Sequence, residues 1–227
     1  MKSKAPEIPW VRPRQARGHE SMNRMLDATQ ALLEDVHFDD LTVHDVVEAS
    51  DTSIGSFYNR FKSKDGLLHC LRERYEAERR ETVTRLLAAE EWRGVGLAPR
   101  VEAVLHLILR FNRERRGLFR TLRLRQLLGY DALTEGDFVE HARLCRGYYE
   151  FFLERREEMA HPAPERAVPF AFFTLVTLLD QRILFDHTLI SRQLQADDEL
   201  LVAELQRQFL AYLGAPLPAL PDRGPSA

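Results

Sequence analysis

The chain has 227 residues, 44% of them hydrophobic and 30% charged, a balance that supports a real core in one or two domains and excludes a disordered or fibrous polypeptide. Lys and Arg number 32 against 35 Asp and Glu, a net charge of -3, so bulk attraction to polyanions is excluded and any nucleic-acid contact must come from local clustering. The two cysteines, Cys70 and Cys145, lie far apart in the sequence, which fits a reducing cytosol better than a disulfide-built secreted domain.

The first 18 residues carry Lys2, Lys4, Arg12, Arg14 and Arg17 against Glu7 alone, with Pro6, Pro9, Pro13 and Gly18. They read as a flexible basic arm without a stable helix, a solvated tail in the first reading, with a reach of Arg12, Arg14 or Arg17 into a minor groove as the alternative. They lack the apolar stretch of a signal peptide. No apolar run approaches the roughly 18 residues that span a bilayer, so the expectation is a cytoplasmic protein with no membrane partner.

Met22, Met25, Leu26, Thr29, Leu32 and Leu33 recur three and four apart, predicting a first helix over 19–35. Thr42 followed by Asp45 is a capping-box variant that opens a short helix over 43–50. Asp51 and Thr52 break it, Ser53 caps a helix over 54–60, and Ser63 caps a long one from Lys64 to about Glu91. "WRGVGLAP" marks a boundary, after which apolar periodicity predicts helices over 100–113, 116–129, 136–160, 164–187 and 196–213. A Pro-rich tail follows over 215–227. No alternating β-branched run bounded by turns occurs. The fold class is all-α: an N-terminal three-helix helix-turn-helix domain over 19–72, joined through the long fourth helix to a larger helical domain over 73–214.

Residues 53–64, "SIGSFYNRFKSK", contain three cations and no acid. A short helix of this kind, braced by the one before it, can approach a phosphate backbone without Coulomb repulsion. Its Ser53 end offers free amides, and Gly55 allows close approach of the backbone. Residues 42–68, "TVHDVVEASDTSIGSFYNRFKSKDGLL", resemble the DNA-binding segment of TetR-family transcriptional repressors. The resemblance is carried by Thr42-Val43, Ser53, Gly55, Ser56, Phe57, Tyr58, Phe61, Ser63, Lys64, Leu67 and Leu68. The chain departs from that pattern at His37, Val47, Asp51 and Thr52; Asp51 can still take the left-handed turn expected there.

The resemblance implies double-stranded operator DNA as partner. It implies base-edge or groove contact from Ile54, Ser56, Phe57 and Asn59, close approach at Gly55, and phosphate contact from Thr42, Ser53, Tyr58 and Lys64. The residues themselves leave Phe57 open between DNA contact and packing, while Phe61 reads as core. A homodimer is implied, since one reading helix makes too few contacts for tight specific binding. The apolar stripes of the last two helices, Leu175, Leu178, Leu179, Arg182, Ile183 and Phe185 with Leu201, Leu205, Phe209, Tyr212 and Leu213, are the four-helix interface that the resemblance implies, with intrachain core as the competing reading.

The aromatic-rich helices between suggest an apolar small-molecule site with a few polar anchors, with packing in the core as the reading for most of these rings; the family resemblance implies that a ligand there would shift the DNA-binding domains and release the DNA. Phe111, Phe119, Arg123, Tyr148, Phe152, Phe173, Thr177 and Gln181 are the candidate lining. His141 and Cys145, one helical turn apart, are too few for a metal site. No catalytic set, phosphate loop, metal or cofactor is expected. The leading expectation is a ligand-released repressor. The alternatives are a ligand-independent regulator or activator working through a protein partner and, more remotely, a helical enzyme.

Overall fold

The computed structural model describes residues 16–130, 134–185, 188, 193 and 197–218. Among them are nine α-helices and no strand. The expected all-α architecture is what the chain adopts. The described residues divide into two compact units, those up to 81 with 115–130, and 82–114 with those from 134 onward.

The first unit contains α1 (Ala16–Leu32), α2 (Val43–Ala49), α3 (Ile54–Phe61), the start of α4 (Lys64–Leu87), and α6 (Arg116–Leu127). Helix α1 begins at Ala16, inside the stretch expected to be a non-helical arm; Arg12 and Arg14 lie outside the described residues. The capping box at α2 forms as its spacing predicts: Thr42 Oγ1 accepts from the Asp45 N–H at 3.2 Å, and the Asp45 carboxylate accepts from the Thr42 N–H at 2.8 Å. Ser53 caps α3 by accepting from the Ser56 N–H. Met25, Leu26, Leu33, Val46, Val47, Phe57, Phe61, Leu67, Leu68 and Leu71 form the core between these helices. Val47 fits into it as a buried residue.

Helix α6, which the sequence places in the second part, packs on α1 within the first unit. Its Gly117 makes this possible. A Cβ at that position would stand 2.0 Å from the Leu33 carbonyl oxygen, so only glycine permits the approach. The Gly117 N–H donates to Glu34 at 2.9 Å, and Arg120 donates to the Leu33 carbonyl at 3.1 Å. These bonds serve the open ends of both helices.

The second unit is built from the end of α4, α5 (Leu97–Arg113), α7 (Glu135–Leu153), α8 (Pro164–Leu184) and α9 (Asp198–Leu213). Arg100, 2% exposed, is satisfied inside it by the carbonyls of Trp92, Val95 and Phe151 and by the Glu154 carboxylate. Helix α7 stops at Leu153, short of the predicted 160. The chain turns there so that Glu158 accepts from the Leu97 N–H at 3.0 Å and serves the first turn of α5. At the other end Gly214 takes a left-handed conformation at φ 65° and closes α9.

Helix α8 corrects the expectation that no segment is long and apolar enough to cross a bilayer: an 18-residue window within its 21 residues reaches a mean hydropathy of 1.4. It is a core helix by its contacts. Ala167, Val168, Ala171, Phe172, Leu175, Leu179 and Ile183 are buried, and it packs on α5, α7 and α9.

Candidate nucleic-acid interface

Helix α3 presents a two-sided surface set by its periodicity. Phe57 and Phe61, four apart, are fully buried with ring centroids 5.3 Å apart, and they hold the helix against α1 and α2. The opposite face presents Ile54, 51% exposed, Tyr58, 52% exposed, and the exposed Gly55 and Asn59. This is the geometry of a braced reading helix: an apolar back, and a front that offers an aliphatic group, a phenol, an amide and a stretch of bare backbone.

The hydroxyls at the start of α3 retain donor capacity. Ser53 and Ser56 share one hydrogen bond of 3.0 Å between their oxygens. Two hydroxyl hydrogens serve one bond, which leaves one to donate to a phosphate or a base edge. Asp51 supplies the left-handed turn between α2 and α3 at φ 49°, as expected for the residue that stands there. Arg24 of α1 donates to its carbonyl at 3.3 Å and faces its carboxylate at 3.8 Å. Arg125 of α6 similarly faces Asp65 at 2.8 Å and Asp39 at 3.9 Å. Asp51, Asp65 and Asp39 are thus each opposed by a cation.

Three sequence assignments change. Phe57 is 0% exposed and cannot touch a base; the packing alternative is the one realised. Thr42 is exposed, but its hydroxyl donates to the Asp45 carboxylate at 2.7 Å and its N–H donates to the same oxygen. Both of its donors are held by the cap and are not free for phosphate. Lys64 is turned away as well: its ammonium donates to the carbonyls of Phe38 at 2.9 Å, Asp39 at 3.0 Å and Leu41 at 2.7 Å, and lies 5.0 Å from the centre of the Phe38 ring. An ammonium has three hydrogens, and all are spent within the fold. Only long-range folding brings those carbonyls to it, from 23 to 26 residues away.

Asp45 is the titrating group beside this surface. Its carboxyl is held below the ordinary carboxylate value, chiefly by the Thr42 hydroxyl and then by the Thr42 N–H, both of which donate to the charged form.

The residues named for a ligand site are divided between the two units. Phe119, buried, and Arg123, stacked 5.1 Å over its ring, belong to α6 in the first unit. Phe111, Tyr148 and Phe152 are buried in the second. Around them Tyr148 stacks on Phe172 at 4.8 Å, and Phe152 meets Phe172 at 6.2 Å and Phe209 at 5.1 Å, so these rings pack on one another. Phe173, Thr177 and Gln181 are exposed on α8.

The expected dimer stripe is largely intrachain core instead. Leu175, Leu179, Ile183, Leu201, Leu205, Phe209 and Leu213 are buried within the second unit, Arg182 is half-buried, and Leu178, Phe185 and Tyr212 are exposed. The open apolar face of α8 is the other one. Phe170, Phe173, Thr177 and Gln181, at steps of three and four, lie exposed, with Phe170 5.6 Å from the Tyr212 ring. Helix α8 is apolar on both faces, so sequence periodicity does not distinguish inside from outside.

Residues 25–71 match the family model described as bacterial regulatory proteins of the tetR family. Among solved structures the chain is similar to a TetR-family transcriptional regulator from Mesorhizobium loti, 15% identical, covering 88% of this chain and 98% of that one at a TM-score of 0.61. It is similar to a tetR-family transcriptional regulator from Streptomyces coelicolor, 15% identical over 86% of this chain and 80% of that one, TM-score 0.59. A bacterial regulatory protein in the tetR family from Rhodococcus RHA1 is 15% identical over 89% of this chain and 99% of that one, TM-score 0.56. At such identities the likeness is one of fold. No curated protein matches the chain by sequence.

Proposed function

We infer that this chain, which belongs to the tetR family of bacterial regulators through residues 25–71 and is a DNA-binding transcriptional regulator, acts as a homodimeric repressor that occupies its operator through α3 and leaves it when a small apolar or aromatic molecule binds. The observation that carries the reading is the split of α3 into a buried back, Phe57 and Phe61, and an exposed front, Ile54, Gly55, Tyr58 and Asn59. The direct contacts are assigned to Ile54, Ser56, Tyr58 and Asn59 for groove and phosphate, with Ser53 serving the phosphate at the start of the helix.

Dimerisation is assigned to the exposed face of α8. An exposed apolar patch of Phe170 and Phe173, with Tyr212 against Phe170, is the kind of surface a self-complementary interface covers. It replaces the buried leucines named from sequence. A regulator confined to the bacterial cytoplasm is the corresponding setting.

Support for the ligand comes from the aromatic content of the second unit, where Tyr148, Tyr149, Phe152 and Phe172 gather. Their ring-on-ring packing favours a second reading, in which the chain regulates through a protein partner without a ligand. A gel shift on the DNA upstream of its own gene tests the repressor: purified dimer at low salt produces a shifted band. Absence of that band refutes the reading. Compounds found by thermal shift separate the two alternatives, since only a releasing ligand removes the band while raising the melting temperature of the free protein.

A further inference from the structure

With Thr42 and Lys64 held inside the fold, the reading helix lacks the cation that its sequence assigned to the phosphate backbone. The acid-free stretch 53–64 contains Arg60, Lys62 and Lys64. Arg60 is half-buried, and Lys64 is bound to three carbonyls. Ser63 between them caps α4 by accepting from the Gly66 N–H at 3.1 Å. Lys62 is exposed and has no ion pair among the described residues. It follows α3 as its C-terminal cap, four residues after Tyr58, and is exposed as Gly55, Tyr58 and Asn59 are.

Its backbone points to the same conclusion. Lys62 has φ 57° and ψ −31°, and the Ser63 N–H donates across it to the Phe61 carbonyl at 2.5 Å. This is a tight γ-like turn with positive φ, a conformation that is strained for any residue with a Cβ and easy only for glycine. A lysine kept where glycine would relax the chain is a strained residue held at a working surface. The acids nearest in sequence do not compete for it, since Asp65 is paired with Arg125.

We propose that Lys62 is the cation that grips the phosphate backbone at the C-terminal end of the reading helix, the role that the family pattern assigns to Lys64. The turn fixes the direction in which the side chain leaves α3, and Tyr58 and Lys62 hold one strand from the same face while Ser53 serves the other end. The inference rests on the DNA-binding reading of α3.

The test uses the full-length protein and two fluorescent duplexes, one from upstream of its own gene and one of random sequence, titrated by anisotropy over a range of salt. Lys62→Gly relaxes the turn and removes the cation together. Its melting temperature rises by about 2–6 °C. Its affinity for both duplexes falls about five- to tenfold near 0.1 M salt, and the salt slope drops by about 0.9 per protomer. Lys62→Gln keeps the strain and loses the cation, so it shows the same losses at unchanged stability, while Lys62→Arg retains affinity and slope. Unchanged slope and affinity in both Lys62→Gly and Lys62→Gln overturn the proposal. Failure of the wild-type chain to bind either duplex overturns instead the DNA-binding reading beneath it.

Discussion

Replacing Lys64 by methionine keeps the aliphatic stem and removes the ammonium, which distinguishes a tie inside the fold from a contact to DNA. In the structure that ammonium donates at 2.7, 2.9 and 3.0 Å to the carbonyls of Leu41, Phe38 and Asp39, and sits 5.0 Å from the Phe38 ring centre. Hydrogen bonds to a charged donor contribute about 1.5–3 kcal/mol each. The three do not sum fully. The Asp39 carbonyl bond is exposed and water can replace it, and freeing the side chain returns up to about 2 kcal/mol of rotamer entropy. A cation at the first residue of α4 also opposes that helix's dipole, which offsets the gain slightly. The net expected loss is about 2–3 kcal/mol, or roughly 4–12 °C in melting temperature for a chain of this length. Urea unfolding followed by circular dichroism measures the stability, and anisotropy against salt measures the phosphate contacts of the variant while it is folded. Lys64→Met lowers the urea midpoint and leaves the salt slope near that of wild type. An unchanged midpoint with a slope reduced by about 0.9 per protomer would refute the reasoning and return Lys64 to the DNA.

Three further outcomes follow from the geometry. Gly117→Ala places a methyl 2.0 Å from the Leu33 carbonyl oxygen, so α6 must move off α1 at a cost of about 2–4 kcal/mol; a urea midpoint equal to wild type would contradict the close approach. Phe173→Glu puts a charge on the exposed face of α8 and is expected to yield a folded monomer by light scattering, whereas a dimer that persists rules that face out. Thr42→Val removes the leading donor to Asp45, so an NMR titration should find the carboxyl closer to its ordinary value. The sign follows from the lowered native value: the cap's stabilisation is present above the unfolded-state pKa of about 4 and is lost as pH falls through the native value. Wild type should therefore lose stability below about pH 4 more steeply than Asp45→Asn, and parallel acid curves would count against the cap as the source.

The reading helix was legible in the sequence because its determinants are local. Ser53 caps the helix three residues before Ser56, Phe57 and Phe61 repeat at one turn, and Asp51 can take the left-handed turn, so each feature is settled within a few residues of itself. The capping box of Thr42 and Asp45 is legible for the same reason. What that pattern leaves out is competition for donors. Thr42 and Lys64 are of the right types to meet phosphate, but their hydrogens are already placed.

By itself, then, the sequence determined the all-α class, the order of the helices and the position of α3 with its caps, since helix periodicity, caps and the turn are written over short spans. Tertiary structure alone decided the rest. Lys64 meets carbonyls from 23 to 26 residues away, and Gly117 brings α6 onto α1 through a contact with Leu33 that no local pattern announces. In α8 both Leu175 and Phe173 belong to apolar stripes, yet Leu175 is 3% exposed and Phe173 is 66% exposed. A helix with apolar residues on more than one face carries little preference for which side turns inward, and the neighbours that pack against it, α5, α7 and α9, make that choice.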